Sequence, residues 1–161
     1  MMRYHQGTMA TECFYFAYGS NMSRSRLEER VGGVRDFGWS TLQGYRHAFN
    51  KRGADGTAKG NIMVADEDSV HGVLYQLTNE QLRTLAHYER GYAAKRVVVY
   101  AHDHATIYEC ATYRAIEITT GLLPHQDYLA HYEQGLREHS LPQDYCTRLF
   151  REGFLTKLSN D

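Results

Sequence analysis

The feature that most constrains this fold is an apolar run that ends abruptly at a glycine. Residues 14–18 (Phe-Tyr-Phe-Ala-Tyr) are typical of a buried strand, and residues 19–21 (Gly-Ser-Asn) follow directly. The next segment, residues 22–30, has a helical pattern with Ser23 as its N-cap. A strand that enters a helix through such a turn leaves backbone N–H groups unpaired, and these attract a carboxylate, a phosphate or an oxyanion. An ordinary connection that binds nothing has the same pattern.

Length and charge limit the class of protein. A chain of 161 residues fits one domain, and a domain of this size removes about 70% of the unfolded chain's surface from water, so its stability requires neither a disulfide nor a metal. The net charge of −1 argues against a nucleic acid or an anionic membrane as partner. Apolar segments are too short to span a bilayer. No pattern indicates an oligomeric state.

Cysteine spacing and the N-terminus point to the cytoplasm. Cys13, Cys110 and Cys146 are far apart and form no C-x-x-C pair, which favours reduced thiols over a secreted disulfide framework. Residues 1–11 lack the hydrophobic core of a signal peptide and are predicted to form a flexible leader. Residues 12–161 are predicted to form a single domain.

The pattern of apolar residues and turns predicts an α+β domain. Many short strands must hide their edges, so we expect them to curl into a barrel or half-barrel flanked by helices. A polar, glycine-rich loop is predicted between two of the strands, at residues 51–60, and an acidic turn at residues 66–69. The predicted strands are 37–42, 45–50, 61–65, 70–77, 95–101 and 106–118, and the later helices begin at Thr78, Pro124 and Pro142.

Glu89 is the strongest catalytic candidate. Thr78 opens a short helix with a Thr-x-x-Gln capping box, on which Leu82, Leu85, Ala86 and Glu89 are spaced to share one face. Burial among apolar side chains and the negative end of the helix dipole both disfavour the charged carboxylate, so its pKa should rise toward neutrality, as acid–base catalysis requires. Alternatively, this side chain swings to solvent or pairs with Arg90, Lys95 or Arg96.

Four segments resemble the gamma-glutamylcyclotransferase family in order and spacing, from about Cys13 to Leu149. They carry the family's strand and Tyr-Gly-Ser-Asn turn, its glutamate near a glycine, its strand with a pocket tyrosine and its C-terminal helices. In this chain they are residues 14–21, 85–91, 110–113 and 124–145.

The resemblance implies a small mixed β-barrel flanked by helices and an enzyme that needs no metal or cofactor. Members of the family release a γ-glutamyl group as 5-oxoproline, because the substrate's own α-amine attacks its γ-carbonyl. No catalytic triad is therefore expected, and the partner is a small γ-glutamyl substrate. Glu89 is implied to take a proton from the α-ammonium group and to return it to the departing amine.

The resemblance also implies the binding residues. Backbone N–H groups of Gly19, Ser20 and Asn21 are implied to hold the substrate's α-carboxylate or the oxyanion, and Tyr18 and Tyr113 to orient it. Fixing the reactive conformer of an intramolecular reaction lowers the barrier by several kcal/mol, with about 7–11 kcal/mol as an upper range.

One departure from the family pattern bears on Glu89. The family has glycine immediately after the glutamate, whereas here Arg90 precedes Gly91. The extra residue could extend the helix and turn the carboxyl away, lower its pKa, or contact the leaving portion of the substrate. A permanently paired carboxylate is a poor base, which keeps open a non-catalytic module that binds an acidic metabolite. A metal pair at His102 and His104 is the weaker alternative to a solvated turn there.

Overall fold

The structure is a computed structural model that describes residues 3–5 and 12–159. The described residues form six strands and four helices. The strands are β1 (Arg3–His5), β2 (Glu12–Ala17), β3 (Arg35–Arg52), β4 (Ala58–Thr78), β5 (Tyr92–Ala101) and β6 (Thr106–Ala115), and the helices are α1 (Arg24–Val31), α2 (Asn79–Ala86), α3 (Gln126–Glu138) and α4 (Gln143–Ser159). Within these residues, no helix is both long and apolar enough to cross a membrane.

Five of the strands close into a mixed barrel. Hydrogen bonds join β6, β2, β4, β3 and β5 in that order, and β5 pairs again with β6. The β2–β4, β3–β4, β3–β5 and β5–β6 pairs are antiparallel, whereas β2 runs parallel to β6 where Tyr15 lies opposite Ala111. The predicted α+β barrel flanked by helices is confirmed.

Strands β3 and β4 are longer than the sequence predicted. The two segments 37–42 and 45–50 lie in one strand, and 61–65 and 70–77 lie in another, so the acidic turn predicted at 66–69 is wrong. Gln43 pairs with Ser69, and the register then shifts so that Tyr45 pairs with Val64. The polar residues predicted as a turn therefore lie in a bulge of β4, and the strand continues past it.

Other predicted boundaries change by a few residues. Only residues 53–57 interrupt β3 and β4 where a loop was predicted at 51–60. The N-cap prediction at Ser23 is confirmed, because its hydroxyl accepts from the Arg26 backbone N–H at 3.4 Å. Within the predicted leader, residues 3–5 form β1 and pair parallel with β6. Residues 1–2 and 6–11 lie outside the described residues, so the leader and the domain bounds stay predictions.

Two hydrophobic clusters meet along β2. Phe14 and Phe16 belong to a cluster drawn from all five barrel strands, which fills the barrel. Tyr15 and Ala17 alternate to the other face and join a cluster that includes side chains of the helices. Since β2 ends between these clusters, the turn that follows it is held where the barrel meets the helices.

Gly135 lets α3 rest directly on that turn. A Cβ at this position would lie 2.5 Å from the carbonyl carbon of Met22 and 2.7 Å from the backbone nitrogen of Ser23. We expect Gly135→Ala to lower the free energy of unfolding by about 1–3 kcal/mol through overpacking, although alanine favours a helix by about 1 kcal/mol. Urea unfolding measures the change, and Ala130→Gly on the same helix measures the propensity contribution. Stability equal to the parent in Gly135→Ala would contradict this contact.

An ion pair ties the end of α3 to the barrel. The imidazole of His139 lies with Nε2 2.6 Å from Asp36 Oδ2 and Nδ1 2.8 Å from the Gly135 carbonyl oxygen. Burial opposes charge on both groups, but the hydrogen bonds outweigh it, so the pKa of His139 is raised and the pKa of Asp36 is lowered. Both groups are therefore more readily charged in the folded state than in the unfolded chain.

The pair should make stability depend on pH. The His139 contribution is complete below its unfolded pKa of about 6.5 and is lost as pH rises through the raised folded value, whereas the Asp36 contribution is present above about 3.9 and is lost as pH falls through the lowered one. We expect Asp36→Asn to cost more stability at pH 5.5 than at pH 8.5, as measured by denaturant unfolding. An equal cost at both pH values would contradict the pairing.

Candidate active site

The turn after β2 offers free amide hydrogens. Its own hydrogen bonds run from the Met22 N–H to the Gly19 carbonyl at 3.0 Å and from the Ser23 N–H to the Ser20 carbonyl at 3.2 Å. No acceptor in the part of the chain that the structure describes takes the backbone N–H groups of Gly19, Ser20 or Asn21. The turn therefore has the unpaired donors that its sequence predicts.

Glu89 does not lie on a helix, contrary to the sequence analysis. Helix α2 ends at Ala86, which is exposed, and Glu89 follows in an irregular turn. Beyond the helix the Tyr88 N–H bonds to the Leu85 carbonyl and the Glu89 N–H to the Ala86 carbonyl, a three-residue spacing that tightens the chain, and Gly91 has a φ of +80°. The turn that ends at Gly91 therefore positions this carboxyl, and the predicted helical stripe and helix dipole do not.

The Glu89 carboxyl nevertheless faces the turn after β2. Its Oε1 accepts a hydrogen bond from the Asn21 side-chain Nδ2 at 3.1 Å, and the same nitrogen lies 3.1 Å from the Tyr15 hydroxyl. Burial raises the pKa of Glu89, while the nearby cations Arg30 and Lys51 and the Asn21 hydrogen bond oppose that shift. The site thus favours a carboxyl that changes protonation state more readily near neutral pH than an ordinary glutamate.

A small inner cavity brings all the predicted site residues together. Its volume is about 40 Å³, and since one water needs at least about 10–15 Å³, it holds only a few waters. The predicted residues that line it are Tyr18, Gly19, Ser20, Asn21, Glu89 and Tyr113, and the sequence analysis missed Tyr15, Gly60, Tyr92 and Tyr128.

Tyr18 and Tyr113 have different roles in the cavity wall. The Tyr18 hydroxyl donates to the Tyr113 backbone carbonyl at 2.5 Å, so its proton is committed and its oxygen is left only as an acceptor. A hydroxyl in that state accepts hydrogen bonds, as an ammonium group requires. Tyr113 contributes its ring, which contacts Tyr15 edge-on with centroids 6.0 Å apart.

The missed tyrosines hold Gly60 of β4. The Tyr128 hydroxyl accepts from the Gly60 N–H at 2.8 Å, and the Tyr92 hydroxyl donates to the Gly60 carbonyl at 2.6 Å. Tyr128 lies on the stripe of α3 that the sequence assigns to the hydrophobic core, and Tyr92 follows Gly91 at the start of β5. The one sequence signal that could have identified these cavity residues is a tyrosine hydroxyl at a position where the neighbouring pattern is apolar.

A wider outer cavity of about 320 Å³ continues from the inner one. The two share Ser20, Glu89, Tyr92 and Tyr128. The outer cavity is lined by five cations, which we call the basic rim: Arg26, Arg30, Lys51, Lys59 and Arg90.

Arg90, the residue inserted after Glu89, is exposed on this rim. It does not extend helix α2, which ends at Ala86. The cations that lower the pKa of Glu89 are Arg30, Lys51 and Arg26. Of the three alternatives for Arg90, extension of the helix is therefore wrong. A lowering of the Glu89 pKa by Arg90 and contact with the leaving portion of a substrate stay predictions.

Metal ligands do not gather in the described residues, which contain no group of three or more His, Cys, Asp or Glu side chains able to hold an ion. At the proposed metal pair, His102 stacks on Trp39 with centroids 3.6 Å apart, and its Nε2 lies 2.7 Å from the Thr41 hydroxyl. That imidazole is therefore engaged in packing β3 against the turn at 102–104.

Comparison with known proteins identifies the family. The sequence model of the AIG2-like family matches residues 69–149, half of the chain. This chain belongs to the AIG2-like family. No curated relative matches it in sequence.

Solved structures of similar fold include cyclotransferases. A gamma-glutamyl cyclotransferase superposes with a TM-score of 0.79 at 23% identity, with 86% of each chain covered. The Homo sapiens protein loc79017 gives a TM-score of 0.79 at 24% identity, also with 86% of each chain covered. A yeast gamma-glutamyl cyclotransferase specific to glutathione gives 0.61 at 14% identity, covering 91% of this AIG2-like chain and 97% of its own. The predicted resemblance and fold are confirmed.

Proposed function

We propose that this AIG2-like protein is a gamma-glutamylcyclotransferase-type enzyme, which releases 5-oxoproline from a γ-glutamyl amino acid or amine. One observation carries the proposal. The Glu89 carboxyl and the unpaired amide hydrogens of residues 19–21 line the same small cavity, and Asn21 bonds to the carboxyl at 3.1 Å. A base and an anion cradle that line one cavity are what an intramolecular acyl transfer needs.

The reaction begins with a proton transfer. Glu89 takes a proton from the substrate's α-ammonium group, because only the neutral amine has a free lone pair, and the Tyr18 oxygen accepts a second hydrogen bond from that group. The amine nitrogen then attacks the γ-carbonyl carbon, which closes a five-membered ring and moves the carbonyl π electrons onto oxygen. Backbone N–H groups of Gly19, Ser20 and Asn21 stabilise the negative charge on the substrate, on the oxyanion or on the α-carboxylate.

Collapse of the intermediate completes the reaction. The oxyanion re-forms the carbonyl, the bond to the leaving nitrogen breaks, and Glu89 returns its proton to that nitrogen. The ring nitrogen carries two hydrogens after its attack, and it releases one of them to solvent to become the neutral lactam N–H. The products are 5-oxoproline and a free amine, and the carboxylate is regenerated. The raised pKa of Glu89 suits both halves of this cycle, because the group must gain and lose a proton under the same conditions.

The two cavities divide the substrate. The inner cavity of about 40 Å³ is too small for a whole γ-glutamyl conjugate, and the outer one of about 320 Å³ opens beside the same carboxyl. The glutamyl end therefore enters the inner cavity, beside Glu89 and the turn, and the leaving portion remains in the outer cavity. Side chains of the basic rim, together with Gly53 and Ala54, then line the space around the leaving portion.

A substrate panel tests the activity. We expect purified protein to form 5-oxoproline from at least one of a set of γ-glutamyl amino acids and amines, as measured by chromatography. The alternative is a non-catalytic module that binds an acidic metabolite, and the cations beside Glu89 favour it. Thermal stabilisation by members of the panel without formation of any 5-oxoproline would support that alternative and overturn the proposed enzymatic function. A cytoplasmic location also remains a prediction.

Arg30 should influence the pH below which turnover is lost. Its guanidinium donates to Asn21 Oδ1 at 3.3 Å and lowers the pKa of Glu89. As pH falls through that pKa the base becomes protonated and turnover is lost. We expect Arg30→Met to move the acid limb of the kcat/KM profile to higher pH, because removing the cation raises the pKa of Glu89 further. The exposed Arg83→Met is the control, and an unchanged or lower midpoint in Arg30→Met would contradict the assignment.

A further inference from the structure

The basic rim has more positive charge than the protein itself neutralises. Glu89 is the one carboxylate among the described residues that line the outer cavity. Lys59 pairs with Asp55 at 3.3 Å, just outside the cavity. Within the described chain, no carboxylate lies at ion-pair distance from Arg26, Arg30, Lys51 or Arg90.

The contacts of Arg26 and Lys51 are with neutral groups. The Arg26 Nε donates to the Ser20 hydroxyl at 3.1 Å, and its Nη1 lies 3.0 Å from the His131 ring. Lys51 Nζ lies 5.0 Å from the centroid of the Tyr92 ring. Both cations line the outer cavity, and these contacts do not neutralise them.

The cations also crowd one another. Burial lowers the pKa of Arg26, and the charge of Arg30 lowers it further. Burial likewise lowers the pKa of Lys51; the charge of Glu89 opposes that shift, and the charge of Lys59 adds to it. Like charges held together in a partly desolvated cavity are relieved by an anionic ligand, which gains charge-assisted hydrogen bonds in return.

We propose that the preferred γ-glutamyl substrates carry an acidic amino acid, with two carboxylates, as the leaving amine. This inference rests on the proposed function, since it names the substrate class of the same site. The glutamyl α-carboxylate is held in the inner cavity, so it does not reach the rim. Asp55 opposes Lys59, and Glu89 opposes one more cation. The exposed Glu29 acts on Arg26 only from beyond ion-pair distance, so three positive charges remain for the leaving portion. A neutral amine leaves all three unmatched, a neutral amino acid matches one and a dicarboxylic amino acid matches two.

Two nearly isosteric substrates test the inference. γ-Glutamyl-glutamate and γ-glutamyl-glutamine differ in one charge on the leaving residue. Hydrogen bonds to charged groups contribute about 1.5–3 kcal/mol, so we expect a kcat/KM ratio of about 10 to 100 in favour of the glutamate at low ionic strength. The ratio should fall as salt is added. Because both rates come from one enzyme, any change in the pKa of Glu89 cancels from the ratio.

Variants assign the preference to the rim. We expect Lys51→Met and Arg90→Met each to lower the ratio several-fold, while Lys95→Met, at an exposed lysine of β5 outside the cavity, leaves it unchanged. Turnover of both substrates at equal kcat/KM would overturn this inference and leave the proposed function standing. A high ratio that survives both rim variants would also overturn it. No 5-oxoproline from either substrate or from the wider panel would overturn the proposed function, and the inference with it.

Discussion

Replacing Glu89 with glutamine should abolish turnover without harming the fold. The amide oxygen can still accept the hydrogen bond that Asn21 Nδ2 donates at 3.1 Å, but it cannot take a proton from the substrate amine. General acid–base catalysis contributes about 10²–10⁴-fold, so we expect kcat/KM to fall by that factor. The measurement is release of 5-oxoproline from a γ-glutamyl substrate that the parent protein turns over.

Thermal stability distinguishes a catalytic role of Glu89 from a structural one. Burial raises the pKa of Glu89, which means that the folded protein disfavours the charged form. Above that pKa the neutral Glu89→Gln side chain avoids this penalty, and we expect an equal or higher Tm. Glu29→Gln, at an exposed position of α1, serves as the matched control and should retain full activity. Full turnover in Glu89→Gln would discard the mechanism.

Adding a methyl group at Gly60 should disrupt the cavity wall. A Cβ there would lie 2.1 Å from the Tyr132 hydroxyl oxygen and 3.3 Å from that of Tyr128. We expect Gly60→Ala to lose about 1–3 kcal/mol of stability by overpacking. Activity should fall as well, because the displaced α3 carries Tyr128 away from the cavity. Thermal unfolding and kcat/KM measure the two effects.

A second substitution tests the cause. Tyr132→Phe removes the oxygen that the new Cβ would meet, so Gly60→Ala with Tyr132→Phe should be more stable than the sum of the two single changes predicts. Gly33→Ala is the control, because a Cβ there has no neighbour closer than 3.8 Å. Strictly additive effects of the two changes would show that Gly60 is not confined by Tyr132.

Local signals in the sequence predicted the turn at 18–23 and the helices. The strand before Gly19, the N-cap at Ser23 and the capping box at Thr78 depend on neighbouring residues, and the structure has all three. The barrel was predicted from many short strands, although β3 and β4 are two long ones. Bulges with glycine in the left-handed region, such as Gly44 at φ +88°, let a strand pass through polar residues that resemble a turn.

The candidate base was found by an argument that the structure corrects. Helical spacing placed Glu89 on the apolar face of α2, yet the helix ends three residues earlier. What brings the carboxyl to Asn21 is the turn that ends at Gly91, and sequence separation between the partners is 68 residues. Local periodicity carries no information on such a contact.

The outer cavity could not be predicted for the same reason. Arg30 lies in the last turn of a helix, Lys51 lies next to the end of a strand and Arg90 follows the candidate base, so each of these cations has an ordinary local explanation. Their convergence depends on closure of the barrel, which brings the ends of β3 and β4 beside the turn at 87–91. The net charge of −1 concealed this concentration of positive charge.

The identity of the products tests the central claim most directly. The protein is incubated in water enriched in ¹⁸O with a γ-glutamyl amino acid that it turns over. Mass spectrometry should then find equal amounts of 5-oxoproline and free amino acid. Because the attacking atom is the substrate's own nitrogen, we expect no ¹⁸O in the 5-oxoproline. Glutamate carrying ¹⁸O would contradict the account, since it would show that water attacks the γ-carbonyl.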